Sequence, residues 1–377
     1  MITAKSVSRD VLLNESHELT MSKKRILVIQ LRQLGDILLT TPCLREIKAG
    51  FPDSHLTMLT HRMGRHILDQ CPYLDEHLVH APGNSLRDLV HDFNLARRLR
   101  TARFDLVIDF MNNPRSAILT FSSGAPERIS FSSSRSFVYT KVIPREGFSG
   151  YIVQDKFRLL HAIGLKPSSQ NLILPWFESH TPPTRSLIEK HPFLSDSRLR
   201  VVISPTHRRT LRKWPLARYA ALSDMLIKRL NASVIWIWGP GEEQEIDEGI
   251  SRCEEKAFVI KAPPTSFREL AALIANTDLF IGNSNGPSHI AVATNICSLQ
   301  LHGPTSKYDW CPLTSQHTAI QSEDLGTKGN PDIAAITLEY LWKQLEQMSP
   351  VFHKQREKRE KKRFFNAWSE SWESFQV

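Results

Sequence analysis

The chain has 377 residues, 41% of them hydrophobic and 23% charged, a globular profile with room for two domains. Its formal net charge of +9 favours an anionic partner (nucleic acid, phosphorylated substrate or anionic lipid) without choosing among them. No apolar run approaches the roughly 20 residues of a bilayer-spanning helix, which excludes a helical membrane span.

Residues 1–22 are polar and mixed, lack the apolar core of a signal peptide, and read as a flexible extension of a cytoplasmic protein. The buried-strand pattern Ile26-Leu27-Val28-Ile29 follows, then a polar turn, Gly35 and the isolated carboxylate of Asp36. Thr41-Pro42 starts a helix that Gly50-Phe51-Pro52 ends. Further elements alternate: strands over 55–60 and 76–80, a helix over 86–100 with Leu86, Leu89, Val90 and Phe93 on one stripe, and a strand over 104–110. This order predicts a parallel sheet covered on both faces.

Residues 167–198 carry Pro167, Pro175, Pro182, Pro183 and Pro192 and read as a linker or interdomain crossing. A second alternation then runs from a strand at 199–204 to one at 297–302, with the capping box Ser266-Phe267-Arg268-Glu269 opening a helix. The last helix is expected over 336–348. Beyond it Lys354, Arg356, Lys358, Arg359, Lys361, Lys362 and Arg363 form a basic run, followed by Phe364, Trp368, Trp372 and Phe375 at helical spacing. The expected division is an extension 1–22, a first domain 23–175, a second domain 176–348 and a basic-aromatic tail 349–377 that can lie in an anionic membrane interface. Cys43, Cys71, Cys253, Cys297 and Cys311 include no C-x-x-C pair, which fits a reducing compartment.

Four segments carry candidate chemistry. In a parallel sheet the turn holding Gly35 and Asp36 lies at the carboxyl end of a strand, where ligands bind, and Asp36 suits a general base; the structural alternative is a first-turn aspartate stabilised by the helix dipole. The loop from Pro205 through Thr206, His207, Arg208, Arg209 and Arg212 to Lys213-Trp214-Pro215 is dense in cations suited to a pyrophosphate. Ser284, Asn285, Gly286, Ser288 and His289 follow a strand and open a helix whose first N–H groups can meet phosphate oxygens, with capping as a compatible role. Gly239-Pro240-Gly241-Glu242-Glu243 offers a carboxylate to ribose hydroxyls but lacks the third glycine of G-x-G-x-x-G. No D-x-D pair, H-E-x-x-H, G-x-S-x-G or Walker loop is present.

In this order the four segments resemble the bacterial heptosyltransferases of glycosyltransferase family 9 over residues 24–345. The specific pieces are Arg32 to Pro42, Arg212-Lys213-Trp214-Pro215, Asn283 to His289, and His302-Gly303-Pro304-Thr305 with Trp310. Phe104 to Asp109, Arg115-Ser116 and Gly124 to Ile129 also match the family's first-domain pattern. The first motif looks most like the branch adding the side-chain heptose of the lipopolysaccharide inner core.

The resemblance implies an α/β GT-B fold of two Rossmann-like domains facing a cleft, with a lipid A-core acceptor on the first and ADP-heptose on the second. Asp36 then corresponds to the catalytic base, Lys213 to the lysine on the donor phosphates, and Glu243 to the ribose-binding glutamate, with Glu242 adjacent. One departure stands out: Ser284 occupies a position that usually holds aspartate. The implied reaction is an inverting, metal-independent heptosyl transfer needing no cofactor beyond its donor, at the inner face of the cytoplasmic membrane. Competing readings are a GT-B transferase with another sugar nucleotide and a non-catalytic nucleotide- or nucleic-acid-binding protein. Scattered basic residues and the lack of an RNA-binding motif count against a nucleic-acid partner.

Overall fold

The apolar run Ile26 to Ile29 is fully buried, as a strand covered on both faces requires. It forms the middle of β1 (Arg25–Gln30) in a computed structural model that describes residues 23–80, 86–175, 178–194, 197–325 and 332–373. The expected extension 1–22 lies outside the described residues. After β1 come α1 (Leu34–Leu38), α2 (Thr41–Gly50), β2 (His55–His61), α3 (Arg65–Leu68), β3 (Glu76–His80) and α4 (Leu86–Thr101). The first lobe continues with β4 (Leu106–Asp109), α5 (Pro114–Ser123), β5 (Glu127–Phe131), β6 (Lys141–Ile143) and α6 (Ile152–His161). Its six strands pair in parallel in the order β3-β2-β1-β4-β5-β6.

After α7 (Pro182–Lys190), the second lobe holds β7 (Leu199–Ser204), α8 (Leu216–Leu230), β8 (Ala232–Trp236), α9 (Glu243–Ser251), β9 (Val259–Lys261) and α10 (Phe267–Ala275). It ends with β10 (Leu279–Asn283), α11 (Gly286–Ala293), β11 (Cys297–His302), α12 (Lys307–Trp310), β12 (His317–Gln321) and α13 (Leu338–Glu373). Its sheet order is β12-β11-β10-β7-β8-β9, also parallel throughout. Counted from its own first strand, each sheet has the doubly wound order 3-2-1-4-5-6, so two Rossmann-like lobes are present as the sequence implies. Each has one switch point, between β1 and β4 and between β7 and β10, where a crevice opens at the carboxyl ends of the strands.

The lobes share an apolar seam: Ile37, Leu38 and Ile67 of the first belong to the same cluster as Ile274, Ile290 and Ala291 of the second. Arg268 of α10 reaches across it, donating to the carbonyls of His66 at 3.2 Å and of Asp69.

Several expectations need revision. The proline-rich stretch is a packed strap rather than a loose linker. It contains α7, buries Leu172, Leu174, Leu187 and Leu194, and donates the Ile173 N–H to Thr41 Oγ1 at 2.9 Å. In α4 the residues facing the sheet are Leu95 and Leu99, and Val90 and Phe93 point to solvent; the side chains of Leu86 and Leu89 lie outside the described residues. The last helix does not stop near Met348. Pro350 sits inside α13, and the helix continues because Phe352 is fully buried and Arg359 pairs with the buried carboxylate of Asp278 at 2.8 Å. The first part of the supposed tail is therefore docked on the second lobe. The side chains of Phe364, Trp368 and Trp372, and all of Phe375, lie outside the described residues. All five cysteines are free and buried. No helix among the described residues is long and apolar enough to cross a membrane.

Candidate active site

The buried end of β1 delivers the chain into the turn that carries Gly35 and Asp36. Asp36 stands in the first turn of α1, and its own carbonyl accepts the Thr40 hydroxyl at 2.7 Å. Its carboxyl is half-buried. Burial pushes its pKa above the usual carboxylate value, and the ammonium of Lys156 draws it back down.

Lys156 was not singled out by sequence reasoning. It lies on the sheet-facing side of α6 and is buried, with Nζ donating to Gln30 Oε1 at 3.1 Å and sitting 4.8 Å from the ring centre of Phe110. Gln30 in turn donates to the Arg32 carbonyl at 2.8 Å. A polar relay thus runs from α6 through the last residue of β1 into the turn before Asp36. Burial holds the Lys156 ammonium below the ordinary lysine value, while the Asp36 carboxylate acts in the other direction. A lysine on an amphipathic helix normally reads as solvated, and only the sheet order places this one under the turn.

Gly35 is one place where the lobes approach closely. A Cβ built there would stand 3.1 Å from Cδ2 of His289, so a glycine permits the approach. His289 is buried on α11, tilted against Trp310 with ring centres 6.1 Å apart, and burial pushes its imidazole down to about 4, keeping it neutral. Among the described residues its Nδ1 is buried with no hydrogen-bond partner.

The second-lobe candidates surround the β7–β10 switch point. Asn283, last in β10, is a pillar: Oδ1 accepts from the Trp214 N–H at 3.1 Å and the Tyr219 hydroxyl at 3.0 Å, and Nδ2 donates to the Pro205 carbonyl at 2.7 Å. Asn285 caps α11, accepting the Ser288 N–H at 3.3 Å, and also donates to Ser204 Oγ at 3.0 Å. The Ser288 N–H is therefore already engaged by the cap. Gly286 faces open space, because an added Cβ would meet nothing within 4 Å. Ser284 is half-buried, and its N–H is held by the Leu301 carbonyl at 3.0 Å.

Two neighbouring glutamates part company. Glu242 turns inward, where Oε2 accepts the buried Thr206 hydroxyl at 2.6 Å and the Gly239 N–H at 2.8 Å. Glu243 is exposed and pairs with Lys261 at 3.1 Å on the far side of α9. The structure thus turns Glu242 toward Thr206, while Glu243, the expected ribose ligand, faces Lys261. Lys213 is partly exposed and bonds Glu245 at 2.8 Å, a partner that the sequence pattern did not suggest. Burial, with the neighbouring Arg209 charge, lowers the Arg212 guanidinium, so cations crowd this loop. Among the described residues no cluster of three His, Cys, Asp or Glu side chains suited to a metal ion is present.

Comparisons with known proteins agree with this architecture. Residues 93–335 match the profile of Glycosyltransferase family 9 (heptosyltransferase). Lipopolysaccharide heptosyltransferase 3 of Escherichia coli is 26% identical over 294 residues, covering 74% of this chain and 84% of that protein. A solved glycosyl transferase family 9 structure from Veillonella parvula superposes with a TM-score of 0.76 at 21% identity, over 86% of this chain and 97% of that one. The structure of E. coli ADP-heptose lps heptosyltransferase II gives a TM-score of 0.70 at 20% identity, over 86% and 98%.

Proposed function

Because the chain belongs to glycosyltransferase family 9, the heptosyltransferases, we propose that it transfers heptose from ADP-heptose to a hydroxyl of the lipopolysaccharide inner core, inverting the anomeric carbon without a metal. The observation that carries this reading is the approach of Gly35 to His289. It sets the first-lobe carboxylate next to the polar loops of the second lobe, at the switch points of both sheets. Asp36 takes the proton of the acceptor hydroxyl as its oxygen attacks the anomeric carbon. The bond from that carbon to the diphosphate oxygen breaks, and ADP leaves with the electron pair, its charge met by Lys213 and the N-terminus of α11. Thr206 and Glu242 face the ribose, while Asn285 and Ser288 keep the helix start in place. The acceptor is lipid-linked, which puts the enzyme in the cytoplasm at the inner face of the membrane; exposed Lys354, Lys358 and Lys361 on α13 suit that surface.

The test is incubation with ADP-heptose and a panel of truncated lipopolysaccharides. Heptose should be added to one inner-core acceptor with an inverted anomeric linkage. Transfer from another sugar nucleotide in preference to ADP-heptose would favour the other-donor reading that Ser284 leaves open.

Two further outcomes are expected. Glu242→Gln should weaken ADP binding by about tenfold, the scale of one hydrogen bond to a charged group, and Glu243→Gln should leave it unchanged; equal effects in calorimetry would return the role to Glu243. Lys156→Met should move the acid limb of the kcat/KM profile to higher pH. The charge acting on Asp36 is that of Lys156 from α6, and the other named neighbours of this pocket, Cys43 of α2, pushed up to about 12, and His289 of α11 beside Gly35, are neutral. Removing the cation leaves burial unopposed, so the carboxyl protonates at higher pH and base activity fades earlier as pH falls. Well above that limb the two enzymes should coincide. The folded-state pKa of Lys156 lies below its unfolded value, so its charge costs stability on the acid side of that folded pKa, and Lys156→Met should melt no earlier than the parent. An unmoved acid limb would remove Lys156 from the site.

A further inference from the structure

The large apolar side chains exposed among the described residues concentrate in one place. Phe93 is 69% exposed on α4, Phe121 66% on α5, and Phe137 84% on the adjoining turn, with Val90 and Ile118 beside them. The two helices pack side by side, and the open groove between them is lined by Phe93, Arg97, Arg100, Phe121 and Arg128. Arg97 and Arg100 stand four and seven residues after Phe93, so cations and rings share one stripe of α4. Both arginines are exposed, and among the described residues neither has a carboxylate partner. Arg128 spends its Nε on the Val138 carbonyl at 2.8 Å. The nearby acid Asp92 is already held by His80 at 2.9 Å and Arg115 at 3.8 Å.

We propose that this α4–α5 face docks on an anionic phospholipid surface. Phenylalanines and branched side chains of this kind settle at the boundary of headgroups and acyl chains, while arginines reach lipid phosphates from long apolar stems. A contiguous apolar patch on a folded chain marks an interaction site. The charge pattern separates the candidates for it. A symmetric contact between two copies would set Arg97, Arg100 and Arg128 against their own counterparts, whereas an anionic membrane complements them. Arg97, Arg100 and Phe121 stand in the last turns of α4 and α5, which lead into the amino ends of β4 and β5, so the face lies toward the end of the sheet opposite Asp36 and leaves the crevice open when it docks. The surface is distinct from α13, whose Arg359 is committed to Asp278. It rests on the transferase reading only for its purpose, because a lipid-linked acceptor must be met at a membrane.

The test is co-sedimentation of the full chain with vesicles of equal parts phosphatidylglycerol and phosphatidylcholine, and with phosphatidylcholine alone. The parent should bind the anionic vesicles, less so as salt rises. The double variant Phe93→Ser/Phe121→Ser should lose at least about tenfold in partition coefficient, a loss of roughly 1.4 kcal/mol, and Arg97→Glu/Arg100→Glu should lose binding to anionic vesicles. All four side chains face solvent, so thermal melting should match the parent. Full-length Trp368→Ser/Trp372→Ser separates the contribution of the C-terminal end. Parent-like binding by the phenylalanine variant would overturn the proposal, as would a parent that ignores anionic vesicles. A parent that dimerises through this face while leaving vesicles unbound would overturn it in favour of an interface between copies. Heptose transfer to a delipidated core oligosaccharide should be unchanged in the phenylalanine variant; its absence in the parent would instead refute the transferase reading, whatever the vesicles show.

Discussion

Asp36→Ala is expected to lose at least about a hundredfold in turnover while binding ADP as tightly as the parent, since general-base assistance is typically worth 10²–10⁴-fold. The two effects separate because they live on different lobes. The carboxylate projects from the turn after β1, and Thr206, Glu242, Lys213 and Asn285 stand around β7 and β10. If Asp36 only stabilised the start of α1, its loss would cost about 0.3–1 kcal/mol of stability and leave turnover intact. A five-residue helix with no side-chain cap at its N-terminus gives such a role little weight. Asp36→Asn sharpens the comparison, because it keeps the shape and polarity of the side chain and removes the basicity. Saturating initial rates and ADP calorimetry on the purified variants read both quantities; normal turnover in Asp36→Ala would end the assignment.

Lys213→Ala is expected to weaken ADP binding and to lower kcat/KM by about a hundredfold, the low end of what removing one donor to a developing oxyanion costs. Charge on the diphosphate grows as the glycosidic bond breaks, so the ammonium helps the transition state more than the bound donor, and kcat should fall as well as affinity. The bond to Glu245 at 2.8 Å holds a flexible side chain in one direction without consuming its other two protons. Glu245→Gln should therefore have a smaller effect than Lys213→Ala, and Lys213→Arg should keep part of the binding. Unaltered ADP titration in Lys213→Ala would refute the contact.

The parts of the fold visible in the sequence are those with one dominant signal. Ile26 to Ile29, Leu199 to Ser204 and Leu279 to Asn283 are apolar enough to read as buried parallel strands, and all three line the switch points. The edge strand β6 is three residues long and none of them is buried, so it leaves no pattern. Proline-rich residues 167–198 look like a linker locally, and only the burial of Leu172, Leu174, Leu187 and Leu194 against both lobes reveals a strap. Pro350 similarly suggests a helix end, and the distant Asp278 overrides it through Arg359. At the candidate site, segment order points to the loops, but the direction of each side chain within a loop is not legible. Adjacent Glu242 and Glu243 carry the same first-turn signal, and the hydroxyl of Thr206, more than thirty positions earlier, holds one of them inward. Lys156 needed the pairing of β1 with β4, which puts Gln30 and Phe110 under one helix.

A crystal structure of the ADP complex bears most directly on the central claim that groups from two lobes serve one transfer. The diphosphate should lie against Lys213 with the ribose at Glu242, its terminal phosphate directed across the gap toward the Asp36 carboxylate. A nucleotide lodged elsewhere on the second lobe, or an Asp36 walled off from the bound phosphates, would contradict it.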